Sequence, residues 1–131
     1  MTGDNSDTAR YQRGVQAYAS QFHIEPDQVP AWFASAVGDR FAAEAIPSAA
    51  NAWTDDELSL RDRSLIVIAA LIAQGDLEAQ LRTHTRWALD HGATPAELET
   101  LSTLLAIYTG FARASHGLMI IRDELSKLDP G

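Results

Sequence analysis

The fold is decided by the stretch Ser59-Leu60-Arg61-Asp62-Arg63-Ser64-Leu65-Ile66-Val67-Ile68-Ala69-Ala70-Leu71-Ile72-Ala73-Gln74-Gly75. A hydroxyl side chain at Ser59 with an acid three residues later is typical of a helix N-terminus. Gly75 is typical of the residue that ends a helix. Residues 64–73 are apolar almost all round, so we expect a helix enclosed by other helices. The apolar run is much shorter than the roughly 20 residues that span a bilayer.

Helical patterns recur on both sides of this stretch. Pro47 is expected to break the second helix, and Asp76 is expected to cap the fourth. Thr94-Pro95-Ala96-Glu97 is the clearest start signal, because an N-cap hydroxyl precedes a proline in the first turn and a glutamate at the third position. The predicted helices cover residues 8–21, about 30–46, 60–74, 77–91, 95–109 and 111–127.

No segment shows the alternation of a β-strand, so the sequence predicts an all-α fold. We expect a single domain over residues 1–131, with N-terminal helices at 8–46 and a core hairpin with its following helices at 53–127. Leu104 and Ile107 lie largely outside the main apolar stripe of their helix. Surplus apolar faces favour subunit contacts and hence a homo-oligomer. The alternative is that the N-terminal helices cover these faces.

The composition excludes several functional classes. The 131 residues include 18 acidic and 10 basic side chains, for a formal net charge of −8. A nucleic-acid partner is not expected, because phosphate binding needs clustered lysine and arginine. The absence of cysteine removes disulfides, thiolate nucleophiles and cysteine-ligated zinc. The N-terminus lacks the basic start and apolar core of a signal peptide, so we expect a cytoplasmic protein with no membrane partner.

His84 is the candidate for acid–base chemistry. Imidazole is the side chain that titrates near neutral pH without help from its surroundings. His84 continues the apolar stripe of Leu77, Leu81 and Ala88 at helical spacing. A histidine in such a stripe faces either packed structure or a pocket.

Arginines close to His84 in the sequence suggest a site for a carboxylate. Arg82 and Arg86 lie one turn apart and flank it on a neighbouring face, and Arg61 and Arg63 begin the preceding helix. Together these cations would form a mouth suited to a small carboxylate substrate. The alternative is a core histidine with satisfied nitrogens, beside arginines that are paired with acids of the protein. The acids available for such pairs are Glu78, Asp62 and Asp90.

The other histidines carry weaker signals. His91 precedes Gly92 at a predicted helix end, where a cation complements the helix dipole. His116 could reach a shared cleft from the last helix, with partial burial as the alternative. His84 and His91 lie seven residues apart and roughly on one face, but there is no HExxH or His-x-x-x-His motif. We expect no metal, and the absence of glycine-rich nucleotide motifs predicts no cofactor.

The segment Leu58–Leu71 resembles the carboxymuconolactone decarboxylase family. The resemblance continues through Leu81–Leu89 and His91–Thr94, and it closes with Ile107–Phe111. It implies an all-α subunit of the alkyl hydroperoxidase D-like type, an orthogonal bundle of about six helices built around a helical hairpin. It also implies a trimer or hexamer with a small-molecule pocket near the subunit contacts.

Two branches of this family differ in chemistry. The peroxidase-like branch has a Cys-x-x-Cys-x-x-x-His helix, whereas this chain has Leu77-x-x-Gln80-x-x-x-His84. The histidine is present and both sulfurs are absent, so thiol peroxidase chemistry is excluded. The other branch resembles the decarboxylase proper, which needs no cofactor and removes CO2 from 4-carboxymuconolactone. This resemblance implies that His84 is the catalytic, proton-handling residue.

The remaining predicted site residues would contact a small carboxylate substrate. The chain differs from the frequent pattern of the decarboxylase branch at Thr100, Leu104 and Gly110-Phe111-Ala112, which leaves the substrate open. A non-catalytic binding or accessory protein is an alternative function, and so is an isomerase or hydratase of a related carbonyl compound. The predicted substrate-binding residues are Arg63, Arg82, Arg86, Trp53, Tyr108 and His116.

Overall fold

A computed structural model describes residues 6–128 of the chain. Residues 1–5, which hold most of the polar N-terminal segment, and residues 129–131 lie outside the described residues. Every regular element between residues 6 and 128 is helical, which confirms the predicted all-α class. The chain divides into two compact units, one ending at Leu58 and the other beginning at Ser59.

The first unit is built from three α-helices and a short 3-10 helix. Ser6 caps the first α-helix, since its hydroxyl accepts a hydrogen bond from the backbone N–H of Ala9. The elements are α1 (Asp7–Phe22), the 3-10 helix (Pro26–Gln28), α2 (Val29–Val37) and α3 (Asp39–Thr54). The core of this unit consists of Val15, Ala19, Val29, Ala42 and Ile46.

The predicted helix over about 30–46, broken at Pro47, is wrong. The break lies at Gly38, whose φ of 89° is accessible to glycine without steric cost. This break is why residues 6–128 contain seven α-helices rather than about six. Pro47 lies inside α3 instead. Proline removes one helical hydrogen bond, and the burial of Ile46 and Ala50 on either side of it offsets that loss.

The second unit contains four α-helices, and the sequence predicted most of their ends. Ser59 Oγ accepts a hydrogen bond of 3.0 Å from the backbone N–H of Asp62, and Gly75 follows the last residue of the first of these helices. Thr94 and Glu97 form the predicted reciprocal capping box. The helices are α4 (Leu60–Gln74), α5 (Glu78–Asp90), α6 (Pro95–Thr109) and α7 (Phe111–Leu128).

Asp76 does not cap α5 as predicted. Leu77 occupies the N-cap position and its side chain makes no hydrogen bond to the helix end. Asp76 instead adopts a left-handed backbone conformation with φ of 60°, which aspartate tolerates better than most residues. Gly75 and Asp76 together form the turn that reverses the chain between α4 and α5.

The core of the second unit is shared by all four of its helices. On α4, Ile68 and Ile72 are buried while Ile66 is 55% exposed, so within this unit α4 is covered on one face rather than all round. No helix among residues 6–128 combines the length and the apolar character that a membrane crossing requires. The buried apolar residues of this core are Ile68, Ile72, Leu81, Ala88, Ala93, Leu98, Ile120 and Ile121.

Candidate functional site

His84 lies on α5 with its ring against Trp87. The two ring centroids are 4.6 Å apart and the ring planes make an angle of 68°, an edge-to-face contact. Trp87 is buried, so one side of the imidazole borders an apolar wall. Burial, together with the nearby His91, lowers the pKa of His84 to about 4. His84 is therefore neutral at physiological pH.

The neutral ring of His84 determines what chemistry this position can perform. A neutral imidazole carries one N–H donor and one acceptor nitrogen. The donor can stabilise negative charge that develops on a nearby oxygen, and the acceptor can take a proton. The position suits a hydrogen bond to developing negative charge better than permanent binding of an anion.

Ser64 and His91 connect the first turns of α4 with the end of α5. Ser64 Oγ lies 2.7 Å from Nδ1 of His91, and the two residues are 27 positions apart in the chain. His91 holds the predicted C-cap position. Burial lowers the pKa of His91, and the charge of neighbouring Asp90 opposes this effect. The imidazole is therefore mostly neutral at pH 7 and does not supply the positive charge expected at this helix end.

Sequence reasoning missed the role of Ser64. The available signal is its position four residues before Ile68 and eight before Ile72, on the stripe of α4 that the structure buries. A hydroxyl on a buried stripe needs a hydrogen-bond partner. The helical pattern cannot identify that partner, because it lies on another helix.

Arg82 and Arg86 direct their guanidinium groups to acids of the protein. Arg82 donates to Asp123 at 2.7 Å and to Glu124 at 3.2 Å, both on α7. It also pairs with Glu78, one turn earlier on α5, at 3.1 Å, as the alternative interpretation anticipated. Arg86 donates to Glu124 at 2.7 Å. Two of the three predicted carboxylate-binding arginines therefore already hold carboxylates.

Glu124 is the centre of this ion-pair cluster. Its side chain is only 7% exposed. Burial opposes its ionisation, but the hydrogen bonds from Arg86 and Arg82 outweigh burial and hold the pKa of Glu124 below its ordinary value. The hydrogen bond from Arg82 also lowers the pKa of Asp123. The cluster ties α5 to α7.

Helix geometry separates these two arginines from His84. Each lies two residues away, which corresponds to about 200° around the helix axis. The ion pairs of Arg82 and Arg86 lie on the α7 side of α5, whereas the ring contact of His84 is with Trp87. The structure does not bring the two arginines to His84.

The cations at the start of α4 have different surroundings. Arg63 is buried and directly precedes Ser64. Arg61 pairs with Asp62 at 3.0 Å and also with Glu97 of α6. Arg63 is therefore the predicted cation whose neighbour in the chain, Ser64, contacts His91.

The other predicted site residues are spread over three helices. Trp53 lies near the end of α3, in the first unit. Tyr108 lies on α6 and is 78% exposed. His116 on α7 lines a cleft with Arg113 near the end of α4. The cleft has a volume of about 10 Å³, which is room for about one water molecule.

The described residues also form a second cavity, but they lack a cluster of metal-ligating side chains. An open groove of about 350 Å³ lies along α6 and α7, and it is lined by Leu118, Ile121 and Arg122 among others but by none of the predicted site residues. Among residues 6–128, no three side chains of histidine, cysteine, aspartate or glutamate converge as metal ligands.

Comparison with known proteins identifies the family. The model of the carboxymuconolactone decarboxylase family matches residues 42–123, which is more than half of the chain. The match includes all of α4, α5 and α6, and every predicted site residue falls within it. No curated protein matches the chain significantly. The family match agrees with the resemblance seen in the sequence, and the chain belongs to the carboxymuconolactone decarboxylase family.

Proposed function

We propose that the protein is a cofactor-free, decarboxylase-like enzyme that acts on a small carboxylated lactone or a related oxo-acid. In this proposal His84 is the catalytic residue that transfers the proton. Family membership supports a reaction of this kind. The observation that carries the proposal is the neutral imidazole of His84, partly buried against Trp87.

The proposed reaction needs a hydrogen-bond donor and a source of protons. Cleavage of the bond between the substrate carbon and its carboxylate releases CO2 and leaves the electron pair on the carbon framework. That pair is delocalised onto the carbonyl oxygen as an enolate. The N–H of His84 donates a hydrogen bond to this oxygen as its charge develops. One proton from solvent, relayed by the same ring, then bonds to carbon and completes the product.

The neutral state of His84 favours this chemistry. A permanently charged imidazolium would pair with the carboxylate that must leave, and would stabilise the bound substrate more than the transition state. A neutral donor gains strength chiefly as negative charge appears on the carbonyl oxygen. Only interactions that strengthen in the transition state accelerate the chemical step.

Substrate binding is proposed for the residues selected from the sequence. Arg63 is the proposed cation for a substrate carboxylate, because it is buried in the first turns of α4 and a buried guanidinium recognises carboxylates strongly. Arg86 is 43% exposed, which makes it the more accessible of the two arginines that hold Glu124. The proposed set also includes Arg82, Tyr108 and His116.

We also propose that the protein assembles as a homo-oligomer, a trimer or a hexamer. The support is a row of exposed apolar side chains at helical spacing on α6 and at the start of α7. Exposed apolar surface of this kind marks interaction sites. The row consists of Leu104, Ile107, Tyr108 and Phe111.

The first experiment measures CO2 release and enol-lactone formation from 4-carboxymuconolactone. We expect turnover by the wild type and a loss of about 10²–10⁴-fold in His84→Ala, the range that general acid–base groups contribute. Gln80→Ala changes an exposed residue of the same helix and serves as the matched control. Full activity in His84→Ala would contradict the role of His84.

The same experiment separates the alternative functions. An isomerase or hydratase would convert a related carbonyl compound without releasing CO2, because the carboxylate stays on the product. A binding protein would be stabilised against heat by its ligand, by RT ln(1+[L]/Kd), and would form no product. Product analysis and thermal unfolding on the same samples distinguish all three.

A further inference from the structure

His91 lies on the same side of α5 as His84. They are seven positions apart, so their side chains point within about 20° of the same direction and are about 10 Å apart along the helix axis. Trp87 lies between them on the same stripe and is buried. Buried apolar groups keep water out, so charges on the two rings are weakly screened from each other.

Ser64 holds His91 in this position. Its hydroxyl oxygen is 2.7 Å from Nδ1 of the ring, and its side chain is fully buried. The backbone N–H of His91 also donates to the carbonyl oxygen of Trp87 at 2.9 Å. The ring of His91 is therefore tethered to α4, and its backbone to the last turn of α5.

We propose that His91, anchored by Ser64, is a positioning residue that opposes protonation of His84 as the pH falls. The inference rests on the proposed role of His84 in proton transfer. Two like charges this close disfavour each other. A proton on His91 thus opposes a second proton on His84, and it keeps the catalytic ring neutral while the surroundings become acidic.

Other charged groups also lie around α5. Asp123 and Glu124 of α7 are held by Arg82 and Arg86, on the opposite side of α5 from His84. Asp90 favours the charged form of His91. Burial and His91 are the influences that lower the pKa of His84. The ionisable residues of the two helices packed on α5 are Arg61, Asp62, Arg63, Arg113, His116, Arg122, Asp123, Glu124 and Lys127.

An NMR titration of the histidine rings tests the coupling without any substrate. The full-length wild type and His91→Gln are titrated from neutral pH into the acid range. We expect the pKa of His84 to rise by about half a pH unit in His91→Gln, because a neighbouring charge is removed while burial remains. Arg122→Gln removes an exposed charge from a different helix and is expected to leave the titration of His84 unchanged, because exposed charges are screened. An identical titration of His84 in wild type and His91→Gln overturns the proposal.

A second variant tests the anchor. In Ser64→Ala the hydrogen bond to Nδ1 is absent, so the ¹⁵N shifts of the His91 ring are expected to move. Unchanged ring shifts overturn the role of Ser64. If His91→Gln fails to fold, His91→Asn replaces it in the same titration. Because the titration needs no turnover, the failure of the proposed decarboxylation and the failure of this coupling are observed independently.

Discussion

Arg86 Nη1 donates a hydrogen bond of 2.7 Å to Glu124 Oε2, across the contact between α5 and α7. The carboxylate also accepts a hydrogen bond from Arg82 at 3.2 Å. A charge that is removed from water depends on such partners, because burial alone would favour its neutral form. This shared carboxylate connects two arginines of α5 to α7.

Glu124→Gln is expected to lower the free energy of unfolding by about 2 kcal/mol. The substitution keeps the side-chain volume and removes the charge that compensates two arginines. Breaking a fully buried pair would cost about 3–5 kcal/mol. Because the arginines are partly exposed to solvent, the expected cost is smaller. Urea denaturation at pH 7 measures the change.

Asp123→Asn is the matched control for the Glu124 variant. Asp123 also pairs with Arg82, but its side chain is 52% exposed. An exposed pair contributes about 0–1 kcal/mol. Equal losses in the two variants would show that burial of Glu124 adds nothing to stability.

Stability is expected to fall as the pH decreases from neutral towards 4. The pKa of His84 is lowered to about 4, below the ordinary value of about 6.5. Between these values the unfolded chain binds a proton at His84 that the folded protein excludes, so the free energy of unfolding falls as the pH falls. Because solvent partly screens the ring, we expect the free energy of unfolding to fall by about 1 kcal/mol between pH 7 and pH 5.

His84→Gln identifies the source of this pH dependence. Urea denaturation of the variant at pH 7 and pH 5 should show a smaller difference than the wild type, by about 1 kcal/mol. Below pH 5, protonation of Glu124, whose pKa is also lowered, causes a further loss in the free energy of unfolding. A difference between pH 7 and pH 5 that is the same in both proteins would assign the effect to other groups.

Gly14→Ala is expected to destabilise the first unit by about 3 kcal/mol, the upper part of the range for overpacking. A Cβ at Gly14 would overlap the carbonyl oxygen of Ile46, and a backbone atom cannot rotate away. The helices α1 and α3 would have to separate. Thermal unfolding followed by circular dichroism measures the loss.

Gly117→Ala provides the comparison within another helix. There a Cβ would lie 2.8 Å from Cγ1 of Ile72, a side-chain atom that can shift. The better helix propensity of alanine, about 1 kcal/mol, also offsets part of the strain. We expect a loss of about 1 kcal/mol. A loss as large as that of Gly14→Ala would contradict the distinction between backbone and side-chain overlap.

Thr94→Ala is expected to cost about 1 kcal/mol, because α6 loses its N-cap. The hydroxyl of Thr94 accepts a hydrogen bond of 3.1 Å from the backbone N–H of Glu97. Thr103→Ala makes the same chemical change in the middle of α6, at an exposed position, and should be neutral or slightly stabilising. Urea denaturation of both variants checks this, and similar values for the two would exclude a specific capping effect.

Local features of the fold were predictable from the sequence. The ends of α4 and the start of α6 depend on hydroxyl caps and glycines that act within four residues of their own position. The family was also recognisable, because its motifs run along the same helices. His84 was selected for a similar reason, since helical periodicity shows which residues share a stripe.

The remaining features were decided by contacts between helices. Periodicity could not show that Pro47 continues a helix, because the compensation comes from the burial of neighbouring residues. It could not show that Arg82 and Arg86 share the carboxylate of Glu124, or that Ser64 meets His91. Such pairings join residues far apart in the chain and form only when the helices pack. The sequence by itself determined where α4 and α6 begin and which residues of a helix share a face. Tertiary packing decided which charges are paired and lowered the pKa values of His84 and His91, because burial and partners set both.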